Sequence, residues 1–205
     1  MVERQLRRRG IGDERVLEAM AAIPRERFVS DRLAGRAYAD SALPIDDEQT
    51  ISQPWIVAAI CQALRLEGEE RVLEVGTGSG YSAAVLGLLA REVIGIELQP
   101  ALAAGAKLAI AELGAANVEV IVGDGGRGLP ERAPFDAIAV HAATPAPPVA
   151  LLDQLAEGGR LVAPVATGEA DMLTVFRREG DAFASREIGP CRFVPLLGEE
   201  GFPRA

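Results

Sequence analysis

The stretch Val72-Leu73-Glu74-Val75-Gly76-Thr77-Gly78-Ser79-Gly80 constrains this chain more than any other. A short, mostly apolar run breaks into glycines at every second position, and a helical pattern follows from Tyr81 to Ala90. Glycines at the end of a strand let the backbone turn sharply and let a ligand approach it closely. The alternation then continues. Val93-Ile94-Gly95-Ile96 reads as a strand, and Pro100 opens a helix that ends near Gly114. Val118 to Val122 and Phe135 to Val140 are further strands, Leu151 to Ala156 reads as a helix, and Arg160 to Val165 as a strand. Such a succession predicts a parallel sheet with helices on both faces. Met172 to Arg177 and Phe183 to Val194 have no helix between them and read as an antiparallel hairpin at the sheet edge. The expected fold class is α/β, a doubly wound, mostly parallel sheet of seven strands.

Ahead of the sheet, residues 1 to about 35 read as short helices, with Asp13 as a cap and Pro24 as a stop. Residues 36 to 53 read as an ordered loop, and Pro54 suits the first turn of a helix reaching Leu64. A length of 205 residues suits one domain. Within it, residues 1–53 are N-terminal helices and a loop, 54–170 the α/β core, and 171–205 the terminal hairpin and tail.

Composition removes several function classes. The net charge of −9 argues against a protein that coats nucleic acid, because phosphate binding needs a basic surface. Two Cys and one His exclude a disulfide scaffold, a Cys-rich zinc module and His-rich metal chemistry, so no metal site is expected. No apolar run approaches the roughly 18 residues of a membrane span, and the charged start Met1-Val2-Glu3-Arg4-Gln5 has no apolar signal region. A cytoplasmic monomer without membrane contact is expected. The charge is uneven: residues 1 to 36 hold nine Arg and six acids. That segment reads as an Arg-rich helical surface, the alternative being a patch for an anionic ligand.

A glycine turn alone fits NAD, FAD or S-adenosylmethionine. Three neighbours discriminate. The spacing is G-x-G-x-G, not the G-x-G-x-x-G of dinucleotide sites. Glu74, two residues before the first glycine, can bind an ammonium or order the turn, and sits badly beside a pyrophosphate. Glu97 ends the second strand and suits a ribose diol. Asp124, in Gly123-Asp124-Gly125, ends the third strand and could accept from an adenine amino group, or simply cap the next helix. Acids at three strand ends suit a cofactor with an ammonium, a ribose and an adenine but no phosphate, which is S-adenosylmethionine. A nicotinamide cofactor and a purely structural turn are the alternatives.

Val72 to Gly80, Gly95 to Glu97, Gly123 to Gly125 and Ala133-Pro134-Phe135-Asp136-Ala137-Ile138 together resemble the protein-L-isoaspartate O-methyltransferase family. So do Gln49-Thr50-Ile51-Ser52-Gln53-Pro54, Gln154 to Val162 and Arg192-Phe193-Val194-Pro195-Leu196, and the resemblance runs from about Arg4 to Leu197. It implies a Rossmann-like methyltransferase that moves a methyl group from S-adenosylmethionine to the free carboxylate of isoaspartyl residues in damaged proteins, leaving S-adenosylhomocysteine. The ester then closes to a succinimide without further catalysis. On this resemblance Ser52 is the active-site serine. Gln49, Thr50, Ile51, Ser52, Glu74, Gly76, Thr77, Gly78, Gly80, Glu97, Leu98, Asp124 and Gly125 are cofactor contacts, and Ile45, Val194, Pro195 and Leu196 face substrate. His141, after the fourth strand, is a further candidate substrate contact from its position, where the family more often carries a small residue. From the residues alone Ser52 reads equally as a helix N-cap before Pro54, His141 as a plain loop residue and Trp55 as packing.

The chemistry suits a chain with few catalysts. A carboxylate is ionised and nucleophilic at neutral pH, so the transfer needs alignment and exclusion of water, and neither a strong base nor a metal. One departure stands out. The family usually carries a Gly-x-Gly pair before Gln-Thr-Ile-Ser, where this chain has Asp46-Asp47-Glu48. Facing solvent, these acids change only loop stiffness. Facing the site, they would repel an anionic substrate, and the chain would be a carboxylate methyltransferase for another peptide or a cofactor-binding module without repair activity.

Overall fold

A computed structural model describes residues 1–47, 49–168 and 170–203. Glu48 of the acidic loop lies outside the described residues, as do the last two residues of the tail. The N-terminal segment is a chain of single turns around one helix, α1 (Glu14–Ala22). Asp13 caps it, its carboxylate accepting from the N–H groups of Arg15 and Val16 at 3.0 and 3.3 Å, an arrangement that stabilises a helix by about 1 kcal/mol over alanine. Val16, Leu17 and Met20 form its buried face, and it stops two residues before Pro24. Several arginines here have partners. Arg7 pairs with Glu3 and Glu14, Arg9 pairs with Asp40, and Arg15 donates to the carbonyls of Leu66 and Leu89.

The expected loop of residues 36–53 contains a small antiparallel ladder, β1 (Leu43–Pro44) against β2 (Thr50–Ile51). Next come α2 (Pro54–Leu64), β3 (Arg71–Val75), α3 (Tyr81–Gly87), β4 (Glu92–Glu97), α4 (Pro100–Glu112), β5 (Val118–Val122) and β6 (Phe135–Val140). The chain ends with α5 (Val149–Leu152), β7 (Leu155–Ala166), β8 (Asp171–Glu179) and β9 (Ala182–Cys191). The large sheet has the order β5-β4-β3-β6-β7-β8-β9, parallel through β7 and antiparallel at β8 and β9. This is the seven-stranded, mostly parallel sheet with a terminal hairpin that the alternation predicts.

Three boundaries differ from the sequence reading. The helix expected over Tyr81 to Ala90 ends at Gly87. The helix expected over Leu151 to Ala156 ends at Leu152, and Leu155 already pairs with Phe135 in β7. The register then slips before Ala137 meets Arg160. Gly158 (φ +73°) and Gly159 serve this bulge, and a Cβ on Gly159 would lie 2.8 Å from the Ala156 carbonyl oxygen. At the other end β9 stops at Cys191, not Val194, because the Phe193 N–H turns to the Asp171 carboxylate at 2.8 Å.

The period of two sorts the core. Val72 and Val93 point to the face covered by α2 and α3, while Leu73, Val75, Ile94 and Ile96 point to the face covered by α5 and Leu155. Glu74 has the parity of Val72 and so faces α3. β4 and β5 lie to one side of β3, and β6 and β7 to the other. The crevice outside the strand ends at such a reversal is where open α/β sheets bind ligands.

Candidate active site

The glycine turn leaves β3 at this reversal. Gly78 (φ +55°) and Gly80 (φ +90°) adopt left-handed backbone that side chains disfavour. Gly80 also lets α4 pass close by, since a Cβ there would sit 3.2 Å from the Cα of Ala106. The turn is anchored by Gly76 N–H to the Ile96 carbonyl at 2.9 Å. Glu97 holds it from β4, with one carboxylate oxygen accepting from Gly78 N–H at 2.8 Å and the other from Gln99 N–H at 2.9 Å. Each oxygen keeps a lone pair for a hydroxyl partner, and the side chain lines a cleft of about 640 Å³.

That cleft gathers Gln49, Thr50, Gly76, Gly78, Glu97, Leu98, Gly125, His141, Val194, Pro195 and Leu196 from the expected residues. Val194, Pro195 and Leu196, expected at the substrate, form its roof. Their segment is hydrogen-bonded to Ala143, whose N–H donates to the Val194 carbonyl and whose carbonyl accepts from Leu196 N–H, both at 2.8 Å. A Cβ on Gly125 would meet Val75 at 2.6 Å, so only glycine fits at that strand end. Ile51, Ser52 and Thr77 line an adjoining hollow with Tyr81, Ser82 and His141. Beyond them an outer groove of about 860 Å³ is walled by Ser52, Trp55, Arg192, Phe193 and Val194. Thr50, His141 and Val194 line both the cleft and the groove, so they form the partition between them.

Several residues have local partners of their own. The N-cap of α2 is Gln53, with no side-chain cap, so Ser52 is not the helix cap. Asp124 caps the turn after β5, its carboxylate accepting from Gly126 N–H and Glu199 N–H, each at 3.0 Å. Ile45 leans over Gly78 and lines a separate hollow with Ser79 and Leu102, not the groove of Ser52. Asp46 and Asp47 are exposed and line neither the cleft nor the groove. Trp55 donates its indole N–H to the Arg9 carbonyl at 3.2 Å, with the Arg9 guanidinium 4.6 Å from its ring centroid. Cys61 is buried in the core.

Glu74 lies fully buried beneath the turn. It accepts from the Ser82 hydroxyl, and among the described residues Oε2 has no hydrogen-bond partner. Burial pushes its carboxyl up to about 7, against the hydroxyls of Ser82 and Thr77, and nearby Glu97 raises it further. His141 Nε2 lies 3.4 Å from Glu74 Oε1 and, among the described residues, is likewise without a hydrogen bond. Burial pulls the imidazole down to about 4, so it is neutral at pH 7 and the contact is not an ion pair. The sequence reading misses Ser82, and its signal is the one aliphatic hydroxyl in the run Tyr81 to Leu86, on the helix that follows a strand acid.

These features fit S-adenosylmethionine. The cleft exposes glycine backbone, a carboxylate pair of oxygens and apolar walls, and Glu97 is its one charged lining side chain among the described residues. A dinucleotide's phosphates would find no cation there. Comparison with known proteins agrees. The family model for protein-L-isoaspartate(D-aspartate) O-methyltransferase matches residues 1–201. The chain belongs to the protein-L-isoaspartate O-methyltransferase family. A relative of that name from Koribacter versatilis (strain Ellin345) is 52% identical over 205 residues, covering 100% of this chain and 92% of its own length. Another, from Marinobacter nauticus, is 53% identical, covering 99% of this chain and 94% of its own. A solved protein-L-isoaspartate O-methyltransferase superposes with a TM-score of 0.86 at 29% identity, covering 98% of this chain and 67% of that one. A structure from Plasmodium falciparum, named for the same methyltransferase and holding S-adenosyl-L-homocysteine, superposes at 0.80 with 25% identity, covering 93% and 94%. The chain is therefore an S-adenosylmethionine-dependent methyltransferase, and its protein-L-isoaspartate O-methyltransferase fold places the Gln49–Ser52 loop at the partition described above.

Proposed function

We propose that this methyltransferase esterifies the free carboxylate of isoaspartyl residues in damaged proteins and peptides, with Ser52 as the residue that orients the carboxylate. One observation carries the reading: the loop of Thr50 and Ser52 stands where the cofactor cleft meets the outer groove. S-adenosylmethionine, when bound, supplies a methyl group already activated on a sulfonium. Glu97 would hold its ribose hydroxyls, the glycine turn would carry its amino-acid end, and Gly125 with Leu98 would flank the adenine. Asp124 shapes that end by fixing the turn that presents Gly125. Ser52 donates from its hydroxyl to one carboxylate oxygen and leaves the other aimed at the cleft. Thr50 and His141 exclude water between the two sites, and neutral His141 adds no charge that would hold the carboxylate back.

The exposure of Asp46 and Asp47 supports an anionic substrate, since neither charge faces the groove. The proposal extends to a single domain acting as a monomer in the cytoplasm, on protein and not on nucleic acid or membranes. The net charge of −9 supports the exclusion of nucleic acid. Methyl label transferred to an isoaspartyl peptide should be released as methanol in mild alkali, because the product is an ester. Label that survives alkali would place the methyl on nitrogen or another atom and refute the carboxylate reading.

Cofactor binding should depend on pH through Glu74. Its carboxyl is faced by Ser82 from α3, Thr77 from the turn, His141 after β6, Glu97 from β4 and Cys61 from α2. None of these is a cation at pH 7, so the proton stays on Glu74 until about pH 7. A cationic ligand in the adjoining cleft favours the ionised form and lowers that value. Affinity for S-adenosylmethionine therefore falls as pH drops below about 7, by up to about tenfold per unit, and levels off above it. Calorimetric titration between pH 5.5 and 7.5 checks this, and Glu74→Gln should flatten the profile. A flat wild-type profile contradicts the coupling.

A further inference from the structure

We propose that Arg25 is a positioning residue for methyl transfer, holding the Ser52 carbonyl from inside the core and so setting where the Ser52 hydroxyl stands. The proposal rests on the role of Ser52 given above. Arg25 opens the turn Arg25–Phe28 and has no accessible surface. Its Nε donates to the Ala37 carbonyl at 2.7 Å and its Nη2 to the Ser52 carbonyl at 2.8 Å. The guanidinium lies over the ring of Tyr81, with Cζ 4.7 Å from the centroid. Tyr81 is the first residue of α3, directly after the glycine turn, and lines the hollow that also holds Ser52 and His141. One rigid plane therefore fastens the N-terminal turns, the serine loop and the helix that follows the cofactor turn.

Stability alone is a poor reason for this arrangement. Among the described residues no carboxylate lies within ion-pair distance of Arg25, and Nη1 has no hydrogen-bond partner. Burying a cation without a counter-ion is costly, and apolar residues of similar volume often serve a core as well or better. What an apolar residue cannot do is direct two donors to carbonyls fifteen residues apart. Lysine cannot do so either, because its ammonium is a single point without a planar fork. The geometry thus selects arginine for where it puts Ser52. A displacement of about 1 Å at a reacting group can cost on the order of 100-fold in rate.

A double-mutant cycle tests this, with kcat and KM for an isoaspartyl peptide and calorimetric Kd for S-adenosylhomocysteine. Arg25→Lys should lower kcat about 30-fold while Kd changes less than about 3-fold. Added to Ser52→Ala, it should lower kcat by less than about 2-fold more, because the group it positions is gone. Unchanged kcat, additive losses, or a Kd loss matching the kcat loss would each overturn the proposal. If Ser52→Ala alone leaves kcat unchanged, the role of Ser52 fails and this proposal fails with it. A second measurement needs no variant. In wild-type protein loaded with S-adenosylhomocysteine, the guanidinium 15N–1H signals of Arg25 should shift when isoaspartyl peptide is added, and signals that do not move overturn the proposal.

Discussion

Ser52→Ala should lower kcat for isoaspartyl peptide by about 100-fold and leave S-adenosylhomocysteine affinity within a few-fold of wild type. The reason lies in what the hydroxyl does not do. Gln53 is the N-cap of α2 and no side chain caps that helix, so removing the Ser52 hydroxyl leaves the helix start intact. Stability should change by no more than about 0.5 kcal/mol, as for a substitution outside the core. A capping serine would instead lose about 1 kcal/mol of stability with turnover unchanged. The side chain stands at the hollow between cleft and groove, where its loss frees the carboxylate to rotate. The expected signature is therefore a kcat effect without a matching fall in stability or cofactor affinity. Lost S-adenosylhomocysteine binding with full turnover at saturation would place Ser52 in the cofactor site.

The parts of the site legible in the sequence are those made by neighbours along the chain. The glycine turn and the proline starting α2 each act within a few residues, and the acid ending β4 acts on Gln99 beside it and on the turn of the neighbouring strand. Glu97 reaches Gly78 because parallel strands align their ends. Legibility failed where a distant segment decides. Asp124 shares its carboxylate with Glu199, seventy-five residues on, and no local pattern shows that approach. Val194 to Leu196 roof the cofactor cleft because Ala143 captures their backbone, a pairing with no side-chain signature. Leu155 and Ala156 continue a helical-looking apolar run, yet pairing with β6 overrides that propensity. Arg25 was invisible for the same reason. In a segment with nine arginines nothing local marks the one whose partners are Ala37, Ser52 and Tyr81.

Two peptides of identical composition distinguish the substrate most directly. In an isoaspartyl residue the main chain runs through the side-chain carbonyl, leaving the α-carboxylate free. In the aspartyl twin the carboxylate has the same charge but hangs one methylene farther from the main chain. With the proposed role of Ser52, a peptide in the groove that Trp55 and Phe193 line would present the first geometry to the Ser52 hydroxyl and misplace the second. Sites that position a polar group by hydrogen bonding discriminate strongly, because a misplaced group leaves buried partners unpaired. Asp46 and Asp47 face solvent and should not blunt the difference. With labelled S-adenosylmethionine, base-labile label should enter the isoaspartyl peptide, and the rate on the aspartyl twin should be lower by at least about 10³-fold. Equal labelling of both peptides, or of neither, would contradict the account.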